Sequence, residues 1–286
     1  GYGLNLVSRL FEVLVDDKTL IEPTTGRQFK IVFEIVIDFG GAASYADISI
    51  YNITNDTAQK AFKKGSILGL RAGYVDNIDF IFKGEIVNIF RERDGAAIVT
   101  RIVTRSRIDN NTNINQTLGK NTKLTAIIKA CADVMGYPLV IKESDFSSVQ
   151  NYPRGYTLNG DPRVYLDELS KTFKFNYVIE NERLIVTLNN KVRDGDIFEV
   201  SRYTGMEGIP IVTEIGVDVN VRLNPKINIG GRFKVESEFA SFNFSNIYFQ
   251  DVPAQAGKGI YKIQRIAHSG DSWGDTWTSS ITGFKF

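Results

Sequence analysis

The segment Ala46-Asp47-Ile48-Ser49-Ile50-Tyr51-Asn52-Ile53 places apolar and polar side chains in alternation. A period of two belongs to a β-strand with one face buried and one face wet. The pattern returns in Asp218-Val219-Asn220-Val221-Arg222-Leu223. Residues 29–38 form a run rich in β-branched and aromatic side chains, closed by Gly40-Gly41, which also reads as a strand. Segments of this kind can be satisfied only by pairing with one another, so the chain is expected to be mainly β.

Hairpins carry much of the remaining sequence. Residues 9–15 turn at Asp16-Asp17-Lys18 into Thr19-Leu20-Ile21. Residues 80–92 and 96–107 read as the arms of a long hairpin around Arg93-Asp94-Gly95, since Asp-Gly is a strong turn signal. A last hairpin joins residues 259–268 to residues 276–284. Between the β-rich ends lies a different unit. The polar stretch 109–117 reads as a linker. After it, Leu124, Ile127, Ile128, Cys131 and Met135 fall on one helical face, with Thr122 the expected cap and Gly136 the stop. Asp161-Pro162 opens a second helix, and Pro suits its first turn. Residues 175–180 and 184–188 form a further hairpin.

The order of signals at the end repeats the order at the start. An alternating strand (residues 47–53; 218–223) leads through a break to a second strand (67–74; 232–239), and then to a long hairpin. Two related β-units with an α+β insert are therefore expected. The 286 residues suffice for this without staples.

Composition removes several classes of function. At 43% hydrophobic and 23% charged the chain is neither disordered nor collagen-like. Its formal net charge of +1 does not favour nucleic-acid binding, which wants a basic excess. One Cys and one His leave no Cys-based zinc site and no multi-histidine centre. No apolar run approaches the about 20 residues needed to span a bilayer, and residues 1–9 do not read as a signal peptide. His268, Ser269, Asp271 and Asp275 read as one loop, which cannot aim a nucleophile and an acid at opposite ring nitrogens; a turn-stabilising role is expected instead. Gly257-Lys258-Gly259 and Gly119-Lys120-Asn121-Thr122 lack the spacing of a phosphate loop. The acids Asp38, Glu85, Glu168 and Glu214 are scattered rather than paired. On the long hairpin Arg101, Arg105 and Arg107 share parity, so they face one side. Tyr248, Phe249, Trp273 and Trp277 read as core before they read as a sugar platform.

Residues 47–53, the short helix to Lys63-Lys64-Gly65, Leu70-Arg71-Ala72-Gly73-Tyr74 and Phe82-Lys83-Gly84-Glu85-Ile86 resemble the N-terminal barrel of tailed-phage baseplate hub proteins. That family is related to the hub part of type VI secretion spikes. Tyr261-Lys262-Ile263, His268-Ser269-Gly270-Asp271 and Trp277-Thr278-Ser279-Ser280-Ile281 resemble its final hairpin. The resemblance implies two tail-tube-like antiparallel β-barrels, residues 1–110 and 201–286, around an α+β insert, residues 111–200. It implies a homotrimer that adapts the six-fold tail tube to a three-fold central spike, in the virion baseplate and made in the bacterial cytoplasm. The implied partners are the chain itself, the tail tube protein and a spike or tail-tip protein, with tape measure and baseplate wedge proteins beyond them. No enzyme activity, cofactor, metal, membrane span or specific nucleic-acid binding is implied. The candidate inter-subunit contacts are Arg101, Arg105, Arg107, Tyr261, His268 and Trp277. The competing reading is a carbohydrate-active β-protein, a cell-wall hydrolase or sugar-binding module.

Overall fold

The computed structural model describes residues 8–25, 30–41, 44–53, 56–106, 112–237, 241–243 and 258–286. The first part runs β1 (Arg9–Val15), β2 (Lys18–Thr25), β3 (Ile31–Asp38), β4 (Ser44–Tyr51), α1 (Asp56–Ala61), β5 (Ile67–Tyr74), β6 (Asn77–Asp94) and β7 (Ala97–Arg105). The middle holds β8 (Ile114–Leu118), α2 (Leu124–Met135), β9 (Leu139–Ile141), β10 (Tyr156–Gly160), α3 (Pro162–Phe173), β11 (Phe175–Glu180) and β12 (Arg183–Leu188). The last part supplies β13 (Phe198–Val200), β14 (Met206–Thr213), β15 (Gly216–Arg222), β16 (Arg232–Glu236), β17 (Ser241–Asn243), β18 (Lys258–Asp271) and β19 (Trp277–Phe284).

The two β-rich ends form one sheet. Its order is β17-β14-β15-β19-β18-β3-β4-β7-β6-β5-β1-β2, with β16 on β18 and β13 on β16. Nearly all of its pairs are antiparallel, and among the described residues it does not close on itself. The chain is mainly β as expected, but in place of two separate tail-tube-like barrels the described strands make a single open sheet. The reason is the pairing of β18 with β3, from Arg265 opposite Asp38 to Asp271 opposite Val32, which joins the last strands to the first ones. Alternation could predict each strand's buried face but not this long-range partner.

Within the sheet one pairing order occurs twice. β3 pairs with β4, β4 with β7, β7 with β6, β6 with β5 and β5 with β1. Likewise β14 pairs with β15, β15 with β19, β19 with β18, β18 with β16 and β16 with β13, although β13 runs parallel to β16 where β1 runs antiparallel to β5. One irregularity also corresponds. The β6–β7 register slips between Ile86 and Asn88, and the β18–β19 register slips between Ile263 and Arg265.

Each half lends apolar groups to the other. Trp277 and Leu223 lie in the first half's core with Phe11, Phe33 and Leu70, whereas Ile37 and Phe39 lie in the second half's core with Val219, Phe233 and Ile281. Trp277 meets Phe33 edge to face, 5.2 Å between ring centres. Its indole Nε1–H donates to the Gly73 carbonyl at 2.9 Å. Gly270 exists for this packing: a Cβ there would stand 2.4 Å from Phe33 Cζ.

Residues 114–188 pack two helices and two small sheets around a core of their own, including Leu124, Ile128, Cys131, Leu166 and Leu184. Asp161 caps α3 by accepting from the Arg163 backbone N–H, and Pro162 follows it as expected. Thr122 does not cap α2; its hydroxyl bonds the Gly119 carbonyl, and Lys123 occupies the cap position without a side-chain bond. The stretch 114–118 is not linker but strand, because it pairs with β10 from Gly160 to Tyr156.

Candidate functional site

The β6–β7 hairpin turns at Gly95 and Ala96, with Asp94 opposite Ala97. Gly95 takes the left-handed conformation, φ 62°, that such a turn requires. Residues 90–96 are exposed. Arg101 makes a fork to Asp47 on the adjoining β4, Nη2 to Oδ2 at 2.7 Å and Nε to Oδ1 at 3.0 Å. Its guanidinium also lies 5.7 Å from the Phe90 ring centre. Arg105 is exposed at the end of β7, opposite Tyr45 on one side and Glu85 on the other. Arg107 lies outside the described residues, as do Tyr248 and Phe249. The shared parity thus brings Arg101 and Arg105 to one face, and Asp47 engages the first of them.

Tyr261, His268 and Trp277 are all buried inside the chain. Tyr261 packs on Phe233 with ring centres 5.9 Å apart. His268 belongs to strand β18 rather than to a loop, because β18 continues past Ser269 and Gly270 to pair with β3. Its Nδ1 lies 2.7 Å from Ser279 Oγ. The Asn224 backbone N–H donates to that same oxygen. Burial pushes the His268 pKa down to about 4, so the ring is neutral at pH 7. Ser269 turns away and donates to Glu34 at 2.6 Å. Asp271 accepts from the Trp273 and Gly274 backbone N–H groups, the turn-stabilising role expected of this cluster.

Two internal ties fix the insert on the sheet. Lys262 is 1% exposed and donates from Nζ to Asn176 Oδ1 and to the Leu188 carbonyl, at 3.0 and 2.9 Å. Burial lowers its pKa to about 7. Buried Glu180 accepts from Arg193, from Arg183 and from the Ile229 backbone N–H. Beside this seam a cavity of about 290 Å³ is lined by Arg193, Asp196, Lys226 and Arg232 among others. Among the described residues no group of three His, Cys, Asp or Glu side chains stands ready to hold a metal. The lone Cys131 is buried and its thiol pKa is pushed up to about 11, which makes it a poor nucleophile.

What stands out instead is apolar surface at strand edges. Phe90 on β6 is 39% exposed, Ile211 on β14 is 41% exposed and Ile215 beside it is 59% exposed. Sequence reasoning passed over these residues. The one available signal was parity: Phe90 shares its side of β6 with Glu92 and Asp94, where a polar residue is the rule.

The family model described as baseplate hub gp41 matches residues 45–244. No curated protein matches the sequence. Solved structures do match in fold. The 43 kDa tail protein of prophage MuSo2 from Shewanella oneidensis has a TM-score of 0.58 at 12% identity, over 97% of each chain. The tail protein from Neisseria meningitidis MC58 has a TM-score of 0.60 at 9% identity, again over 97% of each chain. The Escherichia coli c3393 protein has a TM-score of 0.50 at 9% identity, over 90% of this chain and 73% of that one. It is a type VI secretion component described as similar to T4 tail proteins gp27 and gp5.

Proposed function

Starting from a chain that belongs to the baseplate hub gp41 family, we propose that it acts as a homotrimer that adapts the six-fold tail tube to the three-fold central spike. Its place in a phage tail baseplate follows from the family; the symmetry is our own reading. The observation that carries it is the pairing order that occurs twice in one chain. Three chains with two similar β-units each present six units, and repeated heterologous contacts of one kind close a ring. In this reading residues 1–110 and 201–286 are the two tube-like units and residues 111–200 are the insert. The tail tube protein binds one side of the ring and a spike or tail-tip protein the other, with tape measure and wedge proteins as further neighbours. The exposed parts of the two long hairpins, Arg105 among them, supply ring contacts. The role is structural and not catalytic, and the place of action is the virion baseplate, after synthesis in the host cytoplasm.

The test is the solution mass of the purified chain by light scattering after gel filtration. A species of three times 32.0 kDa is expected, and a stable dimer would exclude the three-fold ring. Zymography on peptidoglycan and a glycan array are expected to be silent; activity in either would revive the carbohydrate reading.

A further inference from the structure

Helix α2 begins at the edge of another cavity, one that belongs wholly to the insert. Its volume is about 410 Å³, and Lys123, Leu124 and Thr125 of the helix start line one part of it. Glu143 and Ser144, from a short 3₁₀ turn (Glu143–Phe146), line another part together with Ser147 and Asn151. Backbone bonds hold these walls in place. The Tyr152 N–H donates to the Thr122 carbonyl at 2.8 Å, the Ser147 N–H to the Ser144 carbonyl at 3.3 Å and the Val149 N–H to the Phe146 carbonyl at 3.1 Å. Leu124, Phe146 and Val149 give the cavity an apolar side. Phe146 is anchored edge to face on Phe175, 6.4 Å between ring centres.

The helix end leaves donors unmatched. The first N–H groups of an α-helix have no partner inside it. Among the described residues nothing accepts from those of Leu124 and Thr125, and Lys123 at the cap position makes no side-chain bond. A second observation is independent of the helix end. Thr125 is only 7% exposed and lines the cavity, yet its hydroxyl has no partner among the described residues. A hydroxyl taken out of water without a hydrogen bond is costly, so this one is completed by whatever fills the cavity.

The remaining lining is of the same kind. The Ser144 and Ser147 hydroxyls, the Asn151 amide and the Lys123 ammonium are also without a partner among the described residues. Donors gathered at the positive end of a helix dipole favour an anion. Glu143 is the one acid in the lining among the described residues, and it is exposed, so water and salt screen its charge.

We propose that this cavity binds a small phosphate monoester. The phosphate takes the Leu124 and Thr125 N–H groups and the Thr125 hydroxyl, with Lys123 and Ser147 as further donors, and the organic body lies against Leu124, Phe146 and Val149. A tetrahedral phosphate accepts from several directions at once, which suits donors coming from a helix end and a loop; a flat carboxylate with two oxygens matches fewer of them. The cavity is larger than a bare phosphate fills and falls within the about 300–1,000 Å³ typical of small-molecule sites. It is not a phosphate loop of the familiar kind. The Gly119–Thr122 turn lacks that spacing, and the Gly119 carbonyl holds the Thr122 hydroxyl. Every part comes from one insert, so the site is independent of the assembly proposed above.

The test is a titration of the full chain with phenyl phosphate, followed by calorimetry and by the amide resonances of Leu124 and Thr125. Inorganic phosphate, phenol and benzoate serve as comparisons. Phenyl phosphate is expected to bind with Kd below about 1 mM, inorganic phosphate more weakly and phenol not at all, and the two amides should shift. Thr125→Val keeps the side chain's shape and removes the hydroxyl; it should raise Kd at least about tenfold, as the loss of a hydrogen bond to a charged group does. Ser147→Ala, at an exposed position that does not endanger folding, should raise Kd about threefold. Glu143→Gln removes the opposing charge and should tighten binding. Unchanged affinity in both Thr125→Val and Ser147→Ala would put the ligand elsewhere and overturn the site. Benzoate binding as tightly as phenyl phosphate would overturn the phosphate in favour of a carboxylate, and weaker binding by Glu143→Gln would overturn the anion altogether. So would the absence of any binding up to about 10 mM.

Discussion

Lys262 is the residue whose chemistry departs furthest from its sequence context. A lysine amine with two neutral hydrogen-bond acceptors, and no carboxylate partner among the described residues, is expensive to bury charged. The unfolded chain holds its proton up to the ordinary value near 10.5, whereas the folded chain releases it near 7. Between these values the unfolded state binds the extra proton, so stability rises with pH across this window and is lost as pH falls towards 7. Urea midpoints measured at pH 7, 8 and 9 should climb in the wild type. In Lys262→Met the slope should flatten, and an unchanged slope would assign it to other groups. His268 acts in the same direction lower down. Its folded pKa of about 4 lies below the ordinary 6.5, so stability is full above pH 6.5 and falls as pH drops towards 4. His268→Gln should remove that part of the acid loss, read as the difference in midpoint between pH 7 and pH 5. Neither residue was legible as such: both sit in a strand whose sequence alternates poorly, and only the insert packed on one side and β3 on the other make them buried.

At the scale of elements, legibility followed the reach of the interaction. The hairpin of β11 and β12 and the Asp161-Pro162 start of α3 depend on contacts within a few residues, and β4 writes its buried face in its own alternation, so the sequence displays all three. Asn181 and Glu182 even take the positive φ angles, 49° and 63°, of a tight two-residue turn. Strand β8 was hidden because only Ile114 of its five residues is buried; it is a strand by virtue of β10. The end of β18 was hidden because Ser269 and Gly270 carry turn signals that the β3 partner overrides. Of the candidate contact residues, Arg101 and Arg105 share a face as their parity indicates, yet exposure is a tertiary property and the apolar surface at Phe90 could not be read. The seam between insert and sheet carries its own prediction. Glu180 is 3% exposed and joins β11 to Arg193 and to the Ile229 amide. Glu180→Ala leaves a guanidinium and an amide without that acceptor, which should cost about 3 kcal/mol in urea unfolding. A loss under about 0.5 kcal/mol would mean that the pair is solvated and incidental.

For the whole molecule the decisive fact is that the two repeated units share hydrogen bonds and cores. Seven facing pairs join β18 to β3, and the first core is completed by a tryptophan from the last hairpin. Arg9 closes the same joint from the other side. Its guanidinium donates to the carbonyls of Asp271, Gly274 and Asp275 and lies 5.6 Å from the Trp277 ring centre. Units coupled this way cannot melt one at a time without exposing the neighbour's core, so the two ends should unfold as one cooperative body. Trp277→Ala probes this directly. The truncation should cost about 3–5 kcal/mol, the range for a buried aromatic. Hydrogen exchange should show the loss spread through β1, β3 and β5 of the first half as well as through β18 and β19, although residue 277 lies far from those strands in sequence. Exchange that quickens only around residues 258–284 would mean that the halves open separately, and that the continuous sheet is held together at its joint by less than its register implies.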